Sequence, residues 1–204
     1  MSNYTVDTLE LGQFTTESGE TIQNLKLKYE HVGYPGQPLA LVCHALTGNH
    51  LTYGTDEHPG WWREIIDGGY MPINDYQFLT FNVIGSPFGS SSKHNDPHFP
   101  DHLTLRDIVR ALEKGIEALG FNKIDILIGG SLGGMQALEL LYNRRFQVDK
   151  AVILAATDKT SSYSCAFNEI ARQAIHIGGK EGLSIARQLG CLLYTSPSPR
   201  DRQK

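Results

Sequence analysis

Apolar and polar residues along this chain follow two periods, one typical of strands and one typical of helices. Loose alternation over Thr5–Leu11 and Leu25–His31 predicts two antiparallel strands at the edge of a sheet. The continuous apolar run Leu39–Cys43 predicts a strand buried on both faces. Two more strands are expected, one over Phe78–Ile84 and a second buried one over Ala151–Ala156.

Helical periodicity is clearest between Leu105 and Leu119, where apolar residues recur three and four positions apart. Thr104 and Asp107 have the spacing of a capping box at the start of this helix, and Gly120 is a typical end. Shorter helices are expected over Trp61–Ile66, Asn168–Ile177 and Glu181–Leu189. Since strands alternate with helical or loop segments from residue 39 onward, the pattern predicts an α/β fold with a mainly parallel sheet and helices on both faces.

The most informative stretch is the apolar run Ile124–Ile128, which ends in Gly-Gly-Ser-Leu-Gly-Gly and is followed at once by helix-forming residues. Gly129, Ser131 and Gly133 match the Gly-x-Ser-x-Gly pattern of a nucleophile elbow, with the strand before it and the helix after it that the motif requires. The simpler alternative is a glycine-rich turn with an incidental serine. We predict that Ser131 is a nucleophile.

A serine that transfers acyl groups needs an oxyanion hole built from N–H donors. The residue after the nucleophile, Leu132, supplies one backbone donor by its position. The second belongs to the loop after an earlier strand, and we assign it to the backbone of Leu46 in the segment His44–Gly48. His44 precedes the nucleophile in the chain, so a structural role is favoured over one as the catalytic base.

Composition and charge narrow the functional classes. A net charge of −4 without a basic cluster before the last few residues argues against nucleic acid and anionic membranes as partners. No signal peptide or spanning segment is expected, and three cysteines without paired spacing favour a reducing, cytoplasmic setting. His94, His98 and His102 lie in the Pro-rich loop of residues 85–102, where a metal site is the weaker interpretation.

Several longer motifs make the chain resemble the homoserine O-acetyltransferase family, which has the α/β-hydrolase fold. The residues that carry the resemblance are Val42–Gly48, Gly60–Trp62, Asn82–Ser86, Thr104–Val109, Ile128–Glu139 and Ala166–Ile175. The resemblance covers nearly all of the chain up to Gly190, and its long elbow and Phe-Asn-Glu-Ile-Ala-Arg-Gln-Ala-Ile block are far more specific than Gly-x-Ser-x-Gly alone.

The resemblance implies a ping-pong reaction in which Ser131 takes an acetyl group from acetyl-CoA and passes it to the hydroxyl of L-homoserine. Acetyl-CoA would be a co-substrate, with no bound cofactor and no metal, and the full-length protein would be a homodimer. Arg187 matches the family's carboxylate-binding arginine, although a solvated helix charge is an equal alternative and Arg172 a weaker candidate. Residues 1–160 would form the hydrolase core and residues 161–190 the start of a helical lid.

The chain departs from this family after the nucleophile. The catalytic Asp and His should follow Ser131, but the only later histidine is His176, in the lid-like block, and Asp149, Asp158 and Asp201 are equally misplaced. We therefore expect a fold that is incomplete at the C-terminus, inactive as written and poorly stable, with an exposed sheet edge. Residues 191–204 resemble a translated sequencing-adaptor end and are expected to be a non-native tail, the alternative being a natural disordered tail.

Two classes of alternative function stay open at this point. A homoserine succinyltransferase, a serine acetyltransferase or an esterase of the same fold would share the elbow and the oxyanion loop. A non-catalytic module on a hydrolase scaffold is the other alternative, because fold alone does not establish activity.

Overall fold

The structure is a computed structural model that describes residues 3–195, and the chain divides into two compact units, Met1–Thr157 and Asp158–Lys204. The strands of the first unit are β1 (Asn3–Glu10), β2 (Phe14–Thr15), β3 (Thr21–Ile22), β4 (Lys26–Gly33), β5 (Leu39–Cys43), β6 (Gln77–Phe81), β7 (Lys123–Gly130) and β8 (Gln147–Leu154). Its helices are α1 (Arg63–Asp67), α2 (Leu105–Ala118) and α3 (Leu132–Asn143). The second unit contains α4 (Ser162–Thr195).

Six strands form one sheet in the order β1-β4-β6-β5-β7-β8, and β2 and β3 pair separately as a short antiparallel ribbon. The pairs β1–β4 and β4–β6 are antiparallel, whereas β6–β5, β5–β7 and β7–β8 are parallel. Both the predicted antiparallel pair at one edge and the predicted parallel centre are confirmed. The strand expected over residues 78–84 is shorter, since β6 ends at Phe81.

The central strand β5 is buried at all five positions, as its apolar run predicts. Leu39, Leu41 and Cys43 face a core cluster that contains residues of α2 and α3. Ala40 and Val42 face a second cluster that contains Ile66 of α1. Because successive side chains of a strand point to opposite faces, helices cover both sides of this sheet.

The start of α2 is fixed by the predicted capping box. The backbone N–H of Asp107 donates to Thr104 Oγ1, and the N–H of Thr104 donates back to Asp107 Oδ2, both at 3.1 Å. The second carboxylate oxygen of Asp107, which is fully buried, accepts the N–H of Glu17 at 2.8 Å. One side chain thus caps the helix and holds the segment between β2 and β3 against it.

The expectation of a second buried strand near residues 151–156 is wrong. β8 has the predicted apolar sequence, but it lies at the edge of the sheet, with β7 as its partner among the strands described. Val152 and Leu154 keep 43% and 50% of their surface exposed. The apolar pattern correctly predicts a strand here, but the pattern does not show whether a neighbouring strand covers that strand.

In the second unit, α4 is interrupted at Gly179, whose backbone has φ +52° and ψ −120°. The two predicted helices lie on either side of this break and are confirmed. Gly182 comes so close to the preceding half that a Cβ there would lie 1.8 Å from the carbonyl oxygen of Ala174. The helix continues to Thr195, and the rest of the predicted tail lies outside the described residues. Within residues 3–195, no helix is both long and apolar enough to cross a bilayer.

Candidate active site

Ser131 occupies a sharp turn between β7 and α3, with φ +54° and ψ −121°. An L-residue other than glycine rarely adopts such a conformation, because Cβ is crowded by the backbone, and the cost is of order 1–3 kcal/mol. Strain of this kind is found where a fixed side-chain position is needed for function. The side chain makes no capping hydrogen bond to α3, so its hydroxyl does not serve as the helix cap.

The flanking glycines have a steric explanation. A Cβ on Gly129 would lie 2.1 Å from the carbonyl oxygen of Gly133, and a Cβ on Gly133 would lie 2.0 Å from that of Cys43. A Cβ on Gly130, by contrast, would meet nothing closer than 3.9 Å. The positions fixed by the Gly-x-Ser-x-Gly pattern are therefore those where backbones touch, and only a glycine lets α3 begin directly against the end of β5.

The strand register places the two predicted oxyanion donors at the same end of the sheet, where β5 and β7 finish. Cys43 at the end of β5 is paired with Gly129 of β7, so the segments that contain Leu46 and Ser131 leave the sheet side by side. Leu132 is the first residue of α3, and its N–H has no acceptor within the helix. The N–H of Ser131 itself donates to the carbonyl of Leu154 at 2.9 Å.

Leu46 lies in a tight turn in which the N–H of Gly48 donates to the carbonyl of Ala45 at 2.9 Å. In such a turn the N–H of the second residue, here Leu46, is not used by the turn itself. The side chain of Leu46 is 77% exposed, so the position is not held by packing of that side chain in a core. This geometry suits a backbone donor, which is the role predicted for Leu46.

His44 is completely buried, and both of its ring nitrogens are occupied. Nε2 accepts the N–H of Val83 at 3.1 Å, so Nδ1 carries the proton and donates to the carbonyl of Ala45 at 2.7 Å. Burial lowers the pKa of His44 below its usual 6.5, which keeps the ring neutral. These contacts fit the structural role favoured for His44, since the ring binds the carbonyl of Ala45, the first residue of the turn.

Cys43, directly before this segment, is also buried, and burial raises the pKa of its thiol to about 12. A thiol with so high a pKa is not a nucleophile at neutral pH. Cys43 is therefore not a competing nucleophile beside Ser131 at this end of the sheet.

The sequence does not identify two buried polar residues that bind backbone groups in the connection after β5. Glu30 of β4 is 1% exposed, and its carboxylate accepts the N–H groups of Tyr53 at 2.7 Å and of Gly54 at 2.8 Å. Burial raises the pKa of Glu30 above its usual value of 4.5. Gln136 of α3 is fully buried and donates from Nε2 to the carbonyl of His44 at 3.2 Å. An isolated charged or amide residue in an apolar pattern gives no hint of which backbone it will bind.

The other predicted site residues are described here by their own surroundings. Arg187, the predicted carboxylate ligand, is exposed on α4, as is His176, and Arg172 of the same helix pairs with Glu169. Asp149 lies inside β8 and pairs with Lys123 at 2.6 Å. His94, His98 and His102 are exposed in their loop, while Asp201 lies outside the described residues. Within the described residues, the structure brings together Ser131, Leu132 and the turn that contains Leu46.

Comparison with known proteins supports the fold. A family model described as "alpha/beta hydrolase fold" matches residues 38–177. The homoserine O-acetyltransferases of Methanobrevibacter ruminantium and Geotalea uraniireducens are 35% and 36% identical, and each alignment covers 88% of this chain. It covers 42% and 56% of those proteins, so the chain spans about half the length of the curated relatives it matches.

Solved structures show the same relationship. The crystal structure of homoserine O-acetyltransferase from Staphylococcus aureus superimposes with a TM-score of 0.91 at 82% identity, over 93% of this chain and 58% of that one. Esterase E22 is 23% identical with a TM-score of 0.74 over 93% of this chain and 60% of its own, a likeness in fold alone. The predicted fold class is thus confirmed by sequence and by structure: this chain belongs to the α/β-hydrolase fold family.

Proposed function

We propose that this chain contains the nucleophile-bearing part of a homoserine O-acetyltransferase, which moves an acetyl group from acetyl-CoA to the side-chain hydroxyl of L-homoserine. The observation that carries the proposal is the strained Ser131 at the start of α3, in a chain that is 82% identical to the S. aureus homoserine O-acetyltransferase over the aligned part. The esterases, at 21–23% identity, support the fold but not their own reaction.

The first half-reaction would form an acetyl ester on the enzyme. Ser131 Oγ attacks the thioester carbonyl of acetyl-CoA, and the negative charge on the carbonyl oxygen is stabilised by the N–H groups of Leu46 and Leu132. When the C–S bond breaks, CoA leaves as a thiolate and takes up the proton that the serine hydroxyl has lost. In the second half-reaction the homoserine hydroxyl attacks acetyl-Ser131, which releases O-acetylhomoserine and returns a proton to Ser131.

The proton transfers require a general base, and in α/β hydrolases this is a histidine later in the chain than the serine. Without its base, a serine nucleophile loses several orders of magnitude in rate, but the oxyanion hole and binding still provide about 10³–10⁴-fold over water. We therefore expect the 204-residue chain to form acetyl-Ser131 slowly from an activated ester and to show no appreciable turnover with acetyl-CoA.

Arg187 is proposed to bind the homoserine carboxylate. A guanidinium group pairs with a carboxylate through two parallel hydrogen bonds, which fixes both the position and the orientation of the amino acid. Arg187 is exposed on α4 and, among the residues that the structure describes, forms no ion pair, whereas Arg172 is paired with Glu169. The longer protein is proposed to be a homodimer that works without a bound cofactor.

Mass spectrometry of the Ser131 peptide tests this proposal. We expect p-nitrophenyl acetate to add one acetyl group to the chain, at Ser131, and the Ser131→Ala variant to remain unmodified. Added L-homoserine should then shorten the lifetime of acetyl-Ser131 more than L-serine does, and Arg187→Lys should reduce that difference. Absence of acetyl-Ser131, or acetyl at other residues in both proteins, would contradict the assignment. Preferential acylation by a succinyl ester would favour a succinyltransferase instead.

A further inference from the structure

Gln136 is a polar residue at a fully buried position, one turn and a half after Ser131 on α3. Its Nε2 donates to the carbonyl oxygen of His44 at 3.2 Å. A carbonyl oxygen only accepts hydrogen bonds, so this contact fixes the orientation of the amide, with the NH₂ group toward the loop. The other end of the amide, Oε1, is buried without a partner in the part of the chain that the structure describes.

An amide with one unsatisfied end is destabilising at a core position. A methionine or leucine of similar volume would fill the same space without that penalty. Stability alone therefore does not explain a glutamine here, and the one hydrogen bond that it makes is the feature to be explained.

That hydrogen bond joins the two halves of the candidate oxyanion hole. Ser131 directly precedes α3, which contains Gln136, and His44 directly precedes the turn that contains Leu46. A peptide unit is planar, so holding the carbonyl oxygen of His44 also sets the direction of the next N–H and the entry into the turn. The imidazole of His44 fixes the following carbonyl, that of Ala45, from its Nδ1.

We propose that Gln136 is a positioning residue of the acyl-transfer site: by holding the carbonyl of His44, it keeps the N–H of Leu46 at a fixed distance from Ser131. The inference rests on the proposed function. Gln136 touches neither substrate nor the reacting atoms, and it acts through the backbone of the loop. An oxyanion donor stabilises charge only when its place is fixed before the reaction, which is what the contact provides.

The test compares Gln136→Met with Leu140→Met. Both substitutions place methionine at a buried position of α3, but Leu140, 3% exposed, lies in the apolar core one turn further along and makes no contact with the loop through hydrogen bonds. Gln136→Glu is the second variant, since it keeps the size and puts an oxygen where Nε2 now donates. Melting temperatures of all variants show whether they fold and how far packing alone has been disturbed.

Two measurements are made on each variant of the 204-residue chain. The first is amide hydrogen exchange, resolved by residue, at Gly48 and Val83, whose N–H groups are bonded to the carbonyl of Ala45 and to His44 Nε2. The second is the rate at which p-nitrophenyl acetate acetylates Ser131. We expect both Gln136 variants to exchange these two amides about tenfold faster and to acetylate Ser131 about tenfold more slowly, because removing one oxyanion donor outright costs about 10²–10³-fold. Leu140→Met should match the unaltered chain in both.

The proposal is overturned if the two amides exchange in the Gln136 variants as they do in the unaltered chain, or if Leu140→Met changes them as much. It is equally overturned if the loop loosens but Ser131 is acetylated at the original rate. A failure of the unaltered chain to accept acetyl at all refutes the proposed function instead, and the exchange comparison then decides alone whether Gln136 holds the loop.

Discussion

The backbone N–H of Ser131 donates to the carbonyl oxygen of Leu154, 2.9 Å away, which ties the candidate nucleophile to the last residue of the edge strand β8. Gly130, directly before it, is the register partner of the same leucine. The elbow is therefore supported on one side by the buried strand β5 and on the other by a strand that is half exposed. Stability of the site depends on both supports.

The strain at Ser131 predicts a trade-off between stability and reactivity. Ser131→Gly removes the Cβ that makes φ +54° unfavourable, whereas Ser131→Ala keeps the Cβ and removes only the hydroxyl. We expect the glycine variant to be more stable than the alanine variant by about 1 kcal/mol, a rise of about 2–4 °C in melting temperature, although glycine has the more flexible unfolded chain. Neither variant should form the acetyl-enzyme.

Calorimetry or circular dichroism on the two variants side by side provides the check. An alanine variant at least as stable as the glycine variant would show that the turn is not strained, and the backbone argument for Ser131 would fail.

Two glycines of the elbow should respond to the same substitution to very different extents. Gly133→Ala would push a methyl group to 2.0 Å from the carbonyl oxygen of Cys43, so α3 must move away from β5. We expect a loss of about 3 kcal/mol or more. In Gly130→Ala, three residues earlier, the added methyl group meets nothing closer than 3.9 Å, and the free energy of unfolding should change by less than about 1 kcal/mol.

Urea unfolding of the two alanine variants measures this contrast. Equal destabilisation would mean that any added methyl group disturbs the turn, and that the close approach of α3 to β5 is not what requires glycine at position 133.

The sequence predicted those parts of the fold whose cause is local. The capping box of Thr104 and Asp107 is a matter of spacing, and the apolar run of β5 is a matter of burial on both faces. The elbow was visible because its glycines and Ser131 are neighbours in the chain. In each case the residues that determine the local structure are neighbours in the chain and belong to the element that they form.

Features that depend on distant partners were not predicted. The exposure of β8 depends on which strand lies beyond it, and no pattern within Gln147–Leu154 records that. Glu30 binds backbone more than twenty residues later, and Gln136 binds the carbonyl of His44, ninety-two residues earlier. A buried polar residue is determined by three-dimensional contacts, which the apolar pattern of its own strand or helix does not reveal.

Acid should destabilise the chain in part through His50, which is 7% exposed. Burial, together with the nearby charge of Lys28, lowers the pKa of His50 from 6.5 to about 4. The unfolded chain therefore binds a proton near pH 6.5 that the folded chain refuses until about pH 4, so stability is present above this window and is lost as the pH falls through it. We expect His50→Gln to reduce the loss between pH 7.5 and pH 5 by about 1–2 kcal/mol.

The matched control is His58→Gln, because His58 is an exposed histidine in the same connection between β5 and α1. Urea unfolding at several pH values gives the slope for each protein. Parallel curves for the unaltered chain and His50→Gln would show that His50 takes up its proton equally well in both states, contrary to its burial.

The exposed edge of β8 should make the isolated chain self-associate. An edge strand with free N–H and C=O groups and exposed apolar side chains pairs readily with another copy, and Val152 is 43% exposed. A lysine in such a strand opposes pairing, because its charge would have to be buried between two sheets. We expect Val152→Lys to remain monomeric in sedimentation velocity at concentrations where the unaltered chain forms larger species.

The control variant is Tyr142→Lys, which replaces a 75% exposed side chain of α3, and a chain with this substitution should still associate. Both substitutions make the net charge of −4 less negative, so general charge repulsion would not separate them. If both variants stay monomeric, or neither does, the association does not run through the edge of β8.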